Sequence, residues 1–248
     1  MFDALRARGF EIAFASHAEA ILSADFPDIA VQLERALSDV RLPISEIIGS
    51  GGGEAQLTQR LRRGFHALEW LKRNIKIEKI VDGELDENAT QSHEIDHFLK
   101  TERGSFALEI EWNNKDPFFD RDLENFKRLH GEGIVSVGSI VTRGAGLQAG
   151  LKGMIQEWAE REGISAFDDL KSKGFKRPTE RQEEIVALRR EQRGESFAAA
   201  WAAMFFSDKF GSATTHWAKL QDRIGRRVGN PCPLVLIGLP ASIVDMSC

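Results

Sequence analysis

The chain has 248 residues, 42% of them hydrophobic, and a formal net charge of -5. That is ample apolar material for one large domain or two small ones, and it excludes a disordered chain. The acidic balance argues against a protein that coats nucleic acid without sequence preference, because such binding rests on neutralising phosphates, but it permits a locally basic cleft. Two cysteines, Cys232 in a Pro-Cys-Pro context and Cys248 at the end, make neither a disulfide framework nor a zinc cluster. Met1-Phe-Asp-Ala-Leu-Arg6 carries no signal-peptide pattern, and no apolar run approaches the roughly 20 residues that span a bilayer. The cytosol is the expected compartment.

Phe10 to Phe14 alternates like a strand, and Asp28 to Leu37 reads as a helix behind the Pro27 start signal. Pro43 to Ile48 reads as a short strand, followed by a flexible glycine loop at 49–53. Leu57, Leu61, Phe65 and Leu68 mark an amphipathic helix of about five turns, with Glu69 on the border of its apolar stripe. Ile75 to Val81 is a further strand and Asp82 to Ser92 a polar loop. Beyond residue 115, helices are expected over Asp120–His130 and Leu147–Arg161, with a buried β-branched strand over Ile134–Thr142 between them. The charged, mostly helical region Phe167–Gly194 follows. Then come an apolar helix over Glu195–Phe206, an amphipathic stretch over Thr215–Val228 and a terminal strand Leu234–Ile237. Strands mixed with long helices, without internal repeat, indicate an α/β fold in a single domain spanning residues 1–248.

The segment from His93 to Lys115 is the most informative. Phe106, Leu108, Ile110 and Trp112 have the period of a half-buried strand, so Ala107, Glu109, Glu111 and Asn113 share its other face. Thr101-Glu-Arg-Gly104 supplies a tight connection to the strand before it. A turn centred between Glu102 and Arg103 sets Asp96 opposite Glu109, with Cβ atoms about 4.5 to 5.5 Å apart. Acids so placed repel unless they stay wet, one is protonated, or a cation sits between them. A few hard oxygen ligands with room for water suit Mg²⁺, and such a site activates water and stabilises charge on a phosphate, the needs of a nuclease. Taken alone, Glu109 and Glu111 are better explained by the solvated face of an edge strand. Asp96 in register, Glu69 on the helix border and Lys115 just beyond shift the balance toward a site.

Other motifs compete. His93-Glu-Ile-Asp-His97 matches the H-E-x-x-H pattern of zinc hydrolases, which requires both histidines on one helical turn. Gly144-Ala-Gly-Leu-Gln-Ala149 satisfies a loose dinucleotide fingerprint but reads better as a loop leading into a helix. The glycine loop at 49–53 lacks the Lys-Ser/Thr of a phosphate-binding loop. Lys209-Phe-Gly-Ser-Ala-Thr-Thr-His216 suits either a helix cap at Ser212 or Thr214 or a phosphate contact. The cationic stretches Lys171–Arg181 and Lys209–Arg227 read as solvated helix faces.

Asp96, the block Glu109-Ile-Glu-Trp-Asn-Asn-Lys-Asp-Pro-Phe-Phe-Asp-Arg-Asp-Leu-Glu-Asn-Phe126, the strand Ser136–Arg143, Gly211–His216 and Gly229-Asn-Pro-Cys-Pro-Leu234 together resemble the BglII/BstYI family of type II restriction endonucleases, which is related to BamHI. The resemblance covers most of residues 60 to 240. It implies a restriction-endonuclease-like core, a mixed central sheet flanked by helices, in a homodimer that cuts both strands of a short, GATC-centred palindrome with Mg²⁺. On that resemblance Asp96, Glu109 and Glu111 are the catalytic acids, joined by Glu69, and Asp96, Glu109, Glu69 and Ile110 are the metal-binding positions. Glu111 stands where many such nucleases have lysine. The resemblance also places DNA reading just beyond the catalytic strand. Asn113 and Asn114 are candidates for bidentate pairing with adenine, followed by Lys115, Arg121 and Arg143, then Lys209, Ser212, Thr214 and His216. A zinc hydrolase built on the HEIDH segment and a non-catalytic DNA-binding relative are the alternatives.

Overall fold

The computed structural model describes residues 1–49 and 53–247, with side chains for all of these except residues 87–91. Most of the glycine run expected as a loop at 49–53 lies outside the described residues. The elements begin with α1 (Asp3–Ala7), β1 (Glu11–Ala15), α2 (Ala18–Asp25), α3 (Pro27–Ser38), β2 (Leu42–Pro43), α4 (Ile44–Gly49) and α5 (Gln56–His66). The centre of the chain forms β3 (Leu71–Val81), β4 (Glu84–Lys100), β5 (Ser105–Glu111), α6 (Pro117–Gly131), β6 (Val137–Arg143) and α7 (Ala145–Arg161). It closes with α8 (Phe167–Ser172), α9 (Glu180–Arg193), α10 (Phe197–Phe210), α11 (Trp217–Gly225), β7 (Leu234–Leu239) and β8 (Val244–Asp245).

Six strands form the main sheet in the order β1-β7-β6-β5-β4-β3. β5, β6 and β7 run parallel, whereas β1, β4 and β3 are antiparallel to their neighbours. This is the mixed, helix-flanked α/β sheet that the sequence implies. Apart from Ser105 at the start of β5, the parallel strands are buried throughout, as strands covered on both faces must be. On one face Phe106, Leu108 and Ile110 of β5 pack with Leu147, Leu151 and Ile155 of α7 and with α10. On the other, Ala107 meets Phe119, Leu123, Phe126 and Leu129, the i, i+4, i+7 stripe of α6, together with Leu220 of α11. Truncating one of these rings, such as Phe126→Ala, costs about 3–5 kcal/mol. Gly138 of β6 lies directly under Phe126: a Cβ there would sit 2.6 Å from the ring.

Three sequence expectations are overturned. Residues 44–48 are helical in α4, not a strand, because Ile44, Ile47 and Ile48 are buried at helical spacing. Helix α5 spans 11 residues, about three turns rather than five. The polar stretch 82–92 is no loop: β3 and β4 form one long hairpin, turning at Asp82 and Gly83 with φ of 53° and 88°. Two positive φ angles at an Asp-Gly pair define the type I′ turn, whose twist matches that of the flanking strands.

Candidate functional site

β5 lies between β4 and β6, so Glu109 and Glu111 do not face solvent from an edge; they are 5% and 3% exposed. The register is the one read from the sequence. His97 pairs with Leu108 and Phe98 with Ala107, which brings Asp96 alongside Glu109. The Asp96 amide donates to Glu109 Oε1 at 3.3 Å. β4 advances three residues from Ile95 to Phe98 while β3 advances two from Arg73 to Leu71, which makes a bulge at Asp96. A bulge re-aims side chains. Here it leaves the Asp96 carboxylate half exposed at the rim, 3.9 Å from Lys72 Nζ.

The bulge also decides the fate of the HEIDH motif. Those residues lie on a strand, where two imidazoles cannot share a helical turn. His93 Nδ1 pairs with Asn125 Oδ1 of α6 at 2.9 Å. His97 packs on the other face, against the Phe65 ring, with Nδ1 3.2 Å from the Leu108 carbonyl. Burial pushes His97 down to about 4. The histidines therefore diverge, and the zinc-hydrolase reading loses its geometry.

Glu69 is not brought to the other acids. It follows the end of α5 in an exposed turn with φ 64°. Because Leu71 pairs with Phe98, the residues preceding Leu71 run alongside Lys100, away from Asp96. Helix α6 supplies a different acid. Asp122 is 2% exposed, on the same buried stripe as Phe119, Leu123 and Phe126. Its carboxylate hydrogen-bonds with Glu111 and accepts from Arg121 Nε at 2.9 Å. Arg121 Nη2 reaches Glu111 Oε1 at 3.7 Å, and Asn114 Nδ2 donates to Glu111 Oε2 at 2.8 Å.

The electrostatics follow from this crowding. Burial, then the charges of Asp122 and Asp96, hold the Glu109 carboxyl well above its ordinary range. Burial and Asp122 push Glu111 up to about 8. Burial raises Asp122 as well, against the pull of Arg121. Without a cation Glu111 keeps a proton that a free carboxyl gives up at neutral pH. Among the described residues no group of three His, Cys, Asp or Glu encloses a metal ion ready-made. The donor set nevertheless fits a hard divalent cation: the side-chain donors are all carboxylate oxygens, and the buried Asp122 Oδ2 accepts from no donor.

Two of the segments expected to read DNA meet beside the acids. Lys115 pairs with Thr214 as an antiparallel bridge, the Thr215 amide donates to the Asn114 carbonyl at 2.8 Å and the Asp116 amide to Ala213 at 3.0 Å. Asn114, Lys115 and Ser212 are exposed, Asn113, Thr214 and His216 partly so. Arg223 fastens α11 to the start of α6 through Asp116 and Asp120, each at 3.2 Å. Arg143 has no exposed surface. Its Nη2 donates to Thr214 Oγ1 at 2.7 Å and to the Thr215 carbonyl at 2.6 Å, and its guanidinium lies 4.9 Å from the Phe210 ring. It thus supports the loop from beneath. Burial lowers Arg143 to about 9. Residue His216, not Ser212 or Thr214, is the N-cap of α11. Lys209 lines a separate cavity with Phe175, Trp201 and Asp208.

The family model of the BglII/BglIII restriction endonucleases matches residues 10–239 of the chain. The chain belongs to that family. As a BglII/BglIII-family enzyme it is a type II restriction endonuclease, a hydrolase that binds DNA and cleaves it site-specifically. No curated protein matches it in a direct comparison. No described helix is long and apolar enough to cross a membrane. Within this family context Asp122 is the buried acid that sequence reasoning missed. The available signal was a carboxylate three residues after Phe119 and four before Phe126, inside a helical apolar stripe.

Proposed function

We propose that this restriction endonuclease hydrolyses both strands of a short, GATC-centred palindromic duplex as a Mg²⁺-dependent homodimer. The observation that supports the reading best is the burial of Glu109 and Glu111 at the end of β5, with Glu109 hydrogen-bonded to the Asp96 amide. Asp96, Glu109 and the Ile110 position would hold the metal ion. When bound, Mg²⁺ supplies charge stabilisation at the phosphate and a more acidic water.

The chain's own groups do the rest. Glu111, fixed by Asn114 and Asp122, would orient or deprotonate a water. Asn113, Asn114 and Lys115 face the duplex together with Ser212, Thr214 and His216. A bidentate amide contact to adenine contributes about 1–3 kcal/mol of discrimination. A palindromic target demands two copies of this surface related by a two-fold axis. Such an enzyme acts in the cytoplasm, where the DNA is.

The test is direct. Plasmid incubated with protein and Mg²⁺ should give discrete fragments whose sequenced ends share one palindrome, and Glu109→Ala should abolish cutting while specific binding persists. A smear, or intact plasmid on every DNA tried, rejects the proposal.

A further inference from the structure

The buried carboxylate on α6 has no structural task that accounts for it. Asp122 is the sixth residue of α6 by its bounds, past the first turn where an acid gains from the helix dipole. Its Oδ1 is met by Arg121 at 2.8 Å, but Arg121 is 55% exposed and on the adjacent residue, so water would serve that guanidinium equally well. Its Oδ2 accepts from no donor although the residue is 98% enclosed, at 2% exposure, and its bond to Glu111 joins it only to another acid. An uncompensated buried carboxylate costs stability. Its neighbours make matters worse, because Glu109 and Glu111 are also acids, and one guanidinium does not balance them.

We propose that Asp122 is a positioning residue of the metal site. It orients Glu111 through the hydrogen bond between their carboxyl groups and directs an unpartnered oxygen, with its charge, toward the place a divalent cation occupies beside Glu109. This rests on the nuclease reading above. Support from behind a ligand set fixes ligand orientation, and its loss lowers metal affinity or activity 10–100-fold. The cation offsets the repulsion that the metal-free protein carries, so Asp122 opposes folding without metal and favours metal binding.

Those two effects have opposite signs, and the experiment reads both. Mn²⁺ binding to the full chain is measured by electron paramagnetic resonance, and thermal unfolding is followed in EDTA, for the wild type, Asp122→Asn and Asp122→Glu. Plasmid cleavage is recorded against Mn²⁺ concentration. Asp122→Asn should weaken Mn²⁺ binding, and raise the Mn²⁺ concentration for half-maximal cleavage, by about 10–100-fold. Its Tm in EDTA should rise, and Asp122→Glu should recover part of the affinity. A lower Tm or failure to fold for Asp122→Asn, or unchanged Mn²⁺ affinity beside a wild type that binds, overturns this inference alone. A wild type that neither binds Mn²⁺ nor cuts DNA overturns it together with the nuclease reading.

Discussion

Glu111→Gln should stabilise the metal-free protein, and do so increasingly as the pH rises. The folded chain holds a proton on Glu111 up to about pH 8, whereas an unfolded glutamate releases it near 4.5. Between those values the folded state binds more protons than the unfolded state, so stability falls as the pH climbs. At about 1.4 kcal/mol per pKa unit the gap sets a ceiling of roughly 5 kcal/mol above pH 8. Asp122 and Glu109 share the repulsion, so removing the one ionisable group should recover about half, roughly 2–3 kcal/mol. Glutamine keeps both neighbours satisfied: its oxygen accepts from Asn114 and its amide donates to Asp122. The assay is thermal unfolding in EDTA at pH 5.5 and 8.5. Taking about 2–4 °C per kcal/mol for a chain of this size, the variant should melt about 4–12 °C higher at pH 8.5 and close to the wild type at pH 5.5. An equal difference at the two pH values, or a wild type that gains on the variant as the pH rises, would refute the reading of Glu111 as a carboxyl that burial and Asp122 keep protonated.

Arg143→Met removes two charge-assisted hydrogen bonds, worth about 1.5–3 kcal/mol each, but also a buried guanidinium whose desolvation costs several kcal/mol. Folding stability should therefore change by less than about 2 kcal/mol, while specific-DNA affinity, measured as Kd at fixed salt, falls at least about fivefold, the low end of one lost base contact. Undiminished affinity counts against a supporting role. Gly138→Ala should lower stability by about 1–3 kcal/mol in denaturant titration, because the Phe126 ring occupies the space of the added methyl. Glu69→Gln should cleave at close to the wild-type rate; loss of activity would place Glu69 in the site after all.

The β5 alternation and its register against Asp96 were legible because period-2 patterning is unambiguous there and Thr101–Gly104 leaves one way to turn. What surrounds that strand was harder. Most of β3 is legible as the strand Ile75–Val81, but the start of β4 from Glu84 to Ser92 is too polar to show an apolar period, so Asp82–Ser92 reads as a loop where Asp82-Gly83 marks a turn. Ile44, Ile47 and Ile48 look alike as strand or helix over so short a run. Asp122 was invisible because an acid within a helical stripe looks solvated until the partner strand is known. The family resemblance offers Arg143 as a DNA contact, whereas packing between Trp112 and Phe210 encloses it. The bulge at Asp96, which separates the two histidines, depends on pairing with β3 and could not be seen from β4 and β5 alone.

The bridge between Lys115 and Thr214 joins stretches of chain that lie far apart in sequence, and Arg143 braces their seam from the interior. A change in one stretch is transmitted to the other through shared backbone hydrogen bonds. Retargeting such an enzyme to a new palindrome by exchanging residues 113–116 alone would thus disturb a second reading element that had not been altered. Any selection for altered specificity has to vary both segments together, with the arginine between them held constant.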